Sequence, residues 1–202
     1  MKKIIILTLA VLLGSSTPAN AQFFKKLGKA LDKIGQVADA LNGDETGNVE
    51  DRKVGDTAKI GDITVTAYGD NPGVGFNYQG CYRKNGRVLF YFQLPNQGQK
   101  DIENVWIRNY EPNETVVYGS DGKKYAISLI VMDNSQSSEG LTKNILAEGI
   151  LNCALVIDAP ATEKKLERVI ICSTGQYPGD AIMHNYRFVI KNVTITEMTK
   201  ED

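Results

Sequence analysis

The chain has 202 residues, 42% of them hydrophobic and 23% charged, with 23 lysines and arginines against 24 aspartates and glutamates. A formal net charge of −1 excludes the basic field that nucleic-acid binding requires. The length allows one domain with a sizeable core and at most an added arm.

At the N-terminus Lys2 and Lys3 precede an apolar run over residues 4–13, and a polar stretch then ends in Ala19-Asn20-Ala21. A positive start, an apolar core too short for a bilayer and small residues two apart predict a secretory signal over 1–21, cleaved after Ala21. The expected mature chain begins at Gln22 and keeps 21 basic against 24 acidic residues, a net charge of −3. Gln at position 22, where a lipid-anchored precursor carries Cys, predicts no lipid anchor. No later run approaches the ~18 apolar residues of a membrane span. The expectation is a soluble protein outside the cytoplasm, periplasmic or extracellular.

Over residues 22–42 apolar residues recur at Phe24, Leu27, Leu31, Ile34, Ala38 and Leu41. Steps of three and four predict an amphipathic helix with one seam, about 27 Å long, ended by Asn42-Gly43. Lys25, Lys26, Lys29 and Lys33 crowd the flanks of that seam. Gly28 and Gly35 each cost about 1 kcal/mol relative to Ala, so the helix needs a partner. Three partners fit: the protein's own β domain, a second copy or another protein, and an anionic membrane surface. Residues 43–56, rich in Asp, Glu, Gly and Asn, predict an acidic flexible linker.

From Thr57 the period changes to two. Ile63, Val65 and Ala67 alternate with Thr64 and Thr66; Val88, Phe90, Phe92 and Leu94 alternate with Leu89, Tyr91 and Gln93; Tyr186, Phe188 and Ile190 alternate with Arg187, Val189 and Lys191. Further strands are expected over 75–83, 104–109, 115–118, 124–131, 149–158 and 166–172, while 140–147 fits a helical turn or a loop. Lys84-Asn85-Gly86 and Ser120-Asp121-Gly122 predict hairpin turns, because Asn-Gly and Asp-Gly accept positive φ cheaply. Short strands without intervening long helices predict an all-β antiparallel sandwich over 57–197, preceded by the N-terminal amphipathic α-helix and followed by a polar tail, 198–202.

The order of these features resembles a known family. Residues 88–96 (VLFYFQLPN), Lys100-Asp101-Ile102, residues 118–125 (YGSDGKKY), Leu146-Ala147-Glu148-Gly149, Asp158-Ala159-Pro160 and residues 188–195 (FVIKNVTI) are similar to secreted immunoglobulin-like domains of unknown function related to the mycobacterial immunoprotective extracellular antigen. The resemblance covers about residues 55–197 and implies an immunoglobulin-like sandwich in an exported protein. It implies no activity and no site residues. The hairpin at Asp121-Gly122 is one residue tighter than the family's usual form, and the 83–86 hairpin and the 173–185 connection look like additions.

The three cysteines, Cys81, Cys153 and Cys172, lie in a chain expected to meet an oxidising compartment. Adjacent apolar strands favour a Cys153–Cys172 disulfide, and buried free thiols fit equally well. His184 is the sole histidine and no Gly-x-Ser-x-Gly elbow exists, which argues against a nucleophile–His pair and against a transition-metal site. Asp62, Glu103, Asp121, Asp133 and Asp158 are the acids a hydrolase would draw on, and a glycosidase needs two of them across a cleft. Residues 69–73 (GDNPG) and Asp133-Asn134-Ser135 carry oxygen ligands without the alternating acids of a calcium loop, so turn chemistry accounts for them. No cofactor or metal is expected. Nine tyrosines stand against one Trp, and Tyr78, Tyr82, Tyr110, Tyr118 and Tyr177 in or beside turns suit contact with a protein or glycan partner. The expected function is a non-enzymatic binding or scaffold module of the bacterial envelope. The alternatives are a small hydrolase or hydrolase-associated domain using surface carboxylates, and an envelope protein that self-assembles through its helix.

Overall fold

The computed structural model describes residues 57–198. The expected signal, the 22–42 helix, the 43–56 linker and the 199–202 end of the tail lie outside the described residues. Within them the protein is all-β: β1 (Thr57–Ile60), β2 (Ile63–Gly69), β3 (Asn77–Lys84), β4 (Arg87–Pro95), β5 (Ile102–Arg108), β6 (Val116–Gly119), β7 (Lys124–Met132), β8 (Ser135–Ser137), β9 (Gly140–Ile145), β10 (Ile150–Asp158), β11 (Lys165–Gln176), β12 (His184–Thr194) and β13 (Thr196–Glu197).

These strands form one curled sheet in two halves. The front half runs β1-β2-β12-β11, with β11 continuing to β6 at one end and to β5 and β9 at the other; the back half runs β13-β3-β4-β10-β7, with β8 on β7. The β6–β7 hairpin joins them, pairing Val117 with Tyr125 and Tyr118 with Lys124 before β7 turns to pair β10. Phe76 shows that the halves face each other: its ring lies 5.4 Å from Phe92 of β4 and 5.2 Å from Phe188 of β12. The shared core draws on Phe90, Phe92, Leu155 and Ile157 from the back and on Val169, Ile171, Phe188 and Ile190 from the front. Each such side chain contributes about 1.5–3 kcal/mol on burial.

Both expected hairpins form. Asn85 (φ 52°) and Gly86 (φ 76°) take the paired positive φ that a two-residue turn between twisted strands requires. At the second, the Gly122 amide donates to Gly119 O (3.0 Å) and the Gly119 amide to Lys123 O (2.9 Å).

Two expectations on strands need correction. Pairing is not wholly antiparallel: β13 runs parallel to β3, because the chain leaves β12 of the front half and crosses directly to the back edge. The undecided stretch 140–147 contains β9, held by pairing with β5, Leu141 opposite Ile107 and Ile145 opposite Ile102. Tertiary pairing there outweighs weak local propensity.

The back half differs from the front in what its second face carries. Side chains alternate across a strand, so with Phe90 and Phe92 inward, Leu89 and Tyr91 point away from the core. Leu89, Ala154, Val156 and Val131 lie on that far face, yet are only 0–2% exposed. The far face of the front half carries Tyr68, Arg187, Cys172, Ile170 and Lys191, all half-buried or exposed.

Candidate functional site

The far face of the front half brings two arginines together with three aromatic side chains. Tyr68 on β2 is registered with Arg187 on β12, and Arg187 with Cys172 on β11, so the three share one row. The Arg187 guanidinium lies 5.3 Å from the centre of the Tyr68 ring. On β5, Trp106 and Arg108 are two residues apart and so share a face. The Arg108 guanidinium lies 4.1 Å over the Trp106 ring and 5.3 Å from the Tyr110 ring, with the two rings edge to face at 6.2 Å. A guanidinium over a ring at this range is attracted by the ring quadrupole, by about 0.5–2 kcal/mol.

Neither arginine makes an ion pair among the described residues. Each guanidinium thus sits beside an aromatic ring and keeps N–H groups that no carboxylate among the described residues engages. Both arginines draw the Cys172 thiol down, Glu111 and Glu114 push it up, and burial, the largest influence, leaves it above its ordinary value. The geometry can therefore bind and orient a flat or carboxylate-bearing group. It offers no paired acid and base.

Of the tyrosines expected at the surface, Tyr110 alone is largely exposed, at 41%. Tyr118 is half-buried. Tyr177 is half-buried, donates from its hydroxyl to Pro72 O (2.9 Å) and stands edge to face with His184. Tyr78 and Tyr82 require correction: Tyr78 packs on the core beside Phe90 and Tyr82 is buried on the back half's far face. Both lie in β3, inside the sheet, where an aromatic ring earns more by burial than at a turn. Trp106 and Arg108 were absent from the sequence expectation. Their signal is the Trp106-x-Arg108-x-Tyr110 spacing, which on a strand places all three on one side.

The expected Cys153–Cys172 disulfide is absent, and all three cysteines are free. Cys153 belongs to the inward set of β10, whereas Cys172 alternates with inward Ile171 and points outward; β10 and β11 do not pair. Strand parity keeps the thiols on different faces. Burial pushes Cys153 well above its ordinary value and Cys81 up to about 12, with Arg83 pulling Cys81 the other way.

His184 Nδ1 lies 2.7 Å from Asp70 Oδ2, a long-range bond that ties the start of β12 to the loop after β2, and not the local one its neighbourhood in the sequence suggested. In the 69–73 loop, Asn71 Oδ1 accepts from the amides of Gly73 (3.1 Å) and Val74 (2.8 Å), so its oxygen closes a turn. Among the described residues no group of three or more His, Cys, Asp or Glu side chains is arranged to hold a metal ion.

The acid that matters most to the fold is Glu163, which was not among those expected to carry chemistry. Its buried carboxylate accepts from the Tyr125 hydroxyl (2.6 Å), the Ser120 hydroxyl (2.8 Å) and the amides of Ser120 (3.2 Å) and Lys165 (3.3 Å). Burial pushes the carboxyl up, but these donors together outweigh it and hold it below its ordinary value. Reciprocally, Glu163 pushes the Tyr125 hydroxyl up to about 12, with burial adding to the effect. The Arg83 guanidinium closes the same corner, donating to Glu163 O (2.6 Å) and Ala159 O (3.1 Å) and pairing with Glu197 (3.1 Å). Gly119 leaves the room: a Cβ there would collide with the Tyr125 hydroxyl and the Glu163 carboxylate. With every carboxylate lone pair engaged, this cluster locks the β6–β7 switch between the halves.

No family model matches this chain, and no curated protein matches it. Among solved structures it is similar to the X-ray structure of Northeast Structural Genomics Consortium target SoR45, at 13% identity and a TM-score of 0.30, over 69% of this chain and 90% of that one. A likeness at that level carries no argument about function.

Proposed function

We propose that this protein is an exported, non-enzymatic binding module of the bacterial envelope that engages its partner through the far face of the front half. The observation that carries this reading is the Trp106–Arg108–Tyr110 stack, continued across the sheet by Cys172, Arg187 and Tyr68. Two arginines oriented by aromatic rings and free of ion pairs suit a partner that presents carboxylates beside flat or apolar groups. The export pattern over 1–21 and the resemblance to secreted immunoglobulin-like domains support the compartment. Two facing sheet halves with hairpin connections are in keeping with an immunoglobulin-like sandwich.

Trp106 is the single tryptophan of the chain, so its emission reports directly on the patch. Titration of the mature chain with poly-L-glutamate at low salt is expected to shift that emission saturably, and added salt to weaken the response. Arg108→Ala together with Arg187→Ala should abolish it, while poly-L-lysine leaves the emission unchanged. A response equal with glutamate and lysine polymers, or one that survives loss of both arginines, overturns the reading. N-terminal sequencing of protein recovered from the native cell envelope should begin at Gln22.

A further inference from the structure

The far face of the back half is built like an interface. Its centre is two rows of apolar side chains running across four strands. One row is Tyr82, Leu89, Val156 and Leu129; the next is Gly80, Tyr91, Ala154 and Val131. A polar row bounds it, Gln79 bonded to Gln93 (3.1 Å), Gln93 to Asn152 (2.9 Å) and Asn152 to Asp133 (3.2 Å). An apolar centre with a bonded polar rim is the anatomy of a docking surface.

The front half lies on the opposite side of these strands, against Phe90 and Phe92, and none of the far-face residues Leu89, Tyr91, Ala154 or Val156 belongs to the shared core. Nevertheless Leu89 is fully buried within the single chain, and the Tyr91 hydroxyl is buried with no hydrogen-bond partner. A bare sheet face leaves its central side chains and hydroxyls to water. We propose that residues 22–42 dock on this face through the seam Phe24, Leu27, Leu31, Ile34, Ala38 and Leu41, as a cover that belongs to the chain itself.

Dimensions and reach agree with this occupant. Four strands about 4.8 Å apart give a centre roughly 19 Å across. A helix about 10–12 Å wide whose seam runs about 26 Å spans it and overhangs both sides. Gly80 leaves room for the Tyr82 ring, which folds back over it and adds to the apolar surface of this face. The described chain starts at Thr57 on β1, the free end of the front half, and the back half ends at β3 and β13. Because the sheet folds at β6–β7, both ends lie away from that fold. Residues 43–56 reach at most about 50 Å when extended, enough to round that edge. A segment seated here is not free to anchor the protein to a membrane or to a second copy.

The test uses the chain from residue 22 to 202 carrying Cys172→Ser and Val156→Cys, with the remaining native thiols in the core. A maleimide should label Cys at 156 slowly, at a rate independent of protein concentration. Leu31→Asp with Ile34→Asp should raise that rate at least tenfold while the β-sheet circular dichroism persists. A photo-reactive benzoylphenylalanine at position 34 of the parent chain should cross-link within one molecule to peptides containing Leu89 or Val156, which keeps the idea testable should the aspartate variant fail to fold. Fast labelling in the parent, protection unchanged by the aspartates, protection that fades on dilution as for a second copy, or cross-links solely to other peptides or to anionic phosphatidylglycerol vesicles would each overturn the proposal.

Discussion

The two halves of the sheet bury their inner faces against each other in the same way and differ entirely on their outer faces. On the front half Arg187, Val189 and Lys191 interleave with buried Tyr186, Phe188 and Ile190, the alternation of a strand with water on one side. On the back half Leu89 and Tyr91 interleave with Phe90 and Phe92, and Ala154 and Val156 with Cys153, Leu155 and Ile157. A strand apolar on both faces is one that has something on both sides. The difference separates a face that presents groups from a face that receives them, within one continuous sheet.

The sharpest way to break the comparison is to make the same kind of cut on each outer face. Leu89→Ala on the back should cost about 2–5 kcal/mol in chemical denaturation, as for a buried core residue. Val189→Ala on the front should cost well under half of that, because Val189 is only half-buried. Equal costs would mean that the faces are alike.

A smaller effect is expected at the corner that joins the halves. Glu163→Gln leaves the buried Tyr125 hydroxyl and two amides facing a poorer acceptor, and should cost about 1–3 kcal/mol at neutral pH. Because the folded carboxyl sits below its ordinary value of about 4.3, its contribution is present above that pH and is lost as pH falls through the folded pKa. The gap between wild type and Glu163→Gln should therefore close on acidification. Tyr125 acts in the opposite direction: its contribution is present below about pH 10 and is lost as pH rises through about 12. A gap that holds constant from pH 7 to pH 3 would remove Glu163 from this role.

Thiol chemistry gives a gentler contrast between the faces. Cys172 on the front should react with a small thiol reagent at pH 8 at least tenfold faster than Cys81 or Cys153, which the core covers; mass spectrometry of labelled peptides reads the order. Smallest of all, Arg108→Ala should change stability by less than about 1 kcal/mol, since it removes a stacked but exposed cation, while removing most of the Trp106 response to poly-L-glutamate.

The strands were legible in the sequence wherever the period of two was strong, as in β4 and β12, and the two hairpins wherever Asn-Gly or Asp-Gly stood between strands. What escaped was decided by long-range pairing. β9 has a polar composition and becomes a strand because β5 lies beside it, while β1, β8 and β13 are too short to show a period. Reading Leu89 and Tyr91 as the outward half of an ordinary alternation overlooked that both sets of β4 are apolar, and that was the visible sign of a doubly covered strand. The Glu163 cluster was hidden because its partners are 38 and 43 residues away in Tyr125 and Ser120. Cys153 and Cys172 were paired on apolar neighbourhood alone, and counting strand parity from Ile171 and Leu155 separates them.

The most direct measurement sets one thiol on each outer face of the mature chain, Val156→Cys or Val189→Cys, each with Cys172→Ser, and compares their maleimide labelling rates under native conditions. The asymmetry argued here requires the thiol at 189 to react at least tenfold faster than the thiol at 156. Rates within twofold of each other would contradict it.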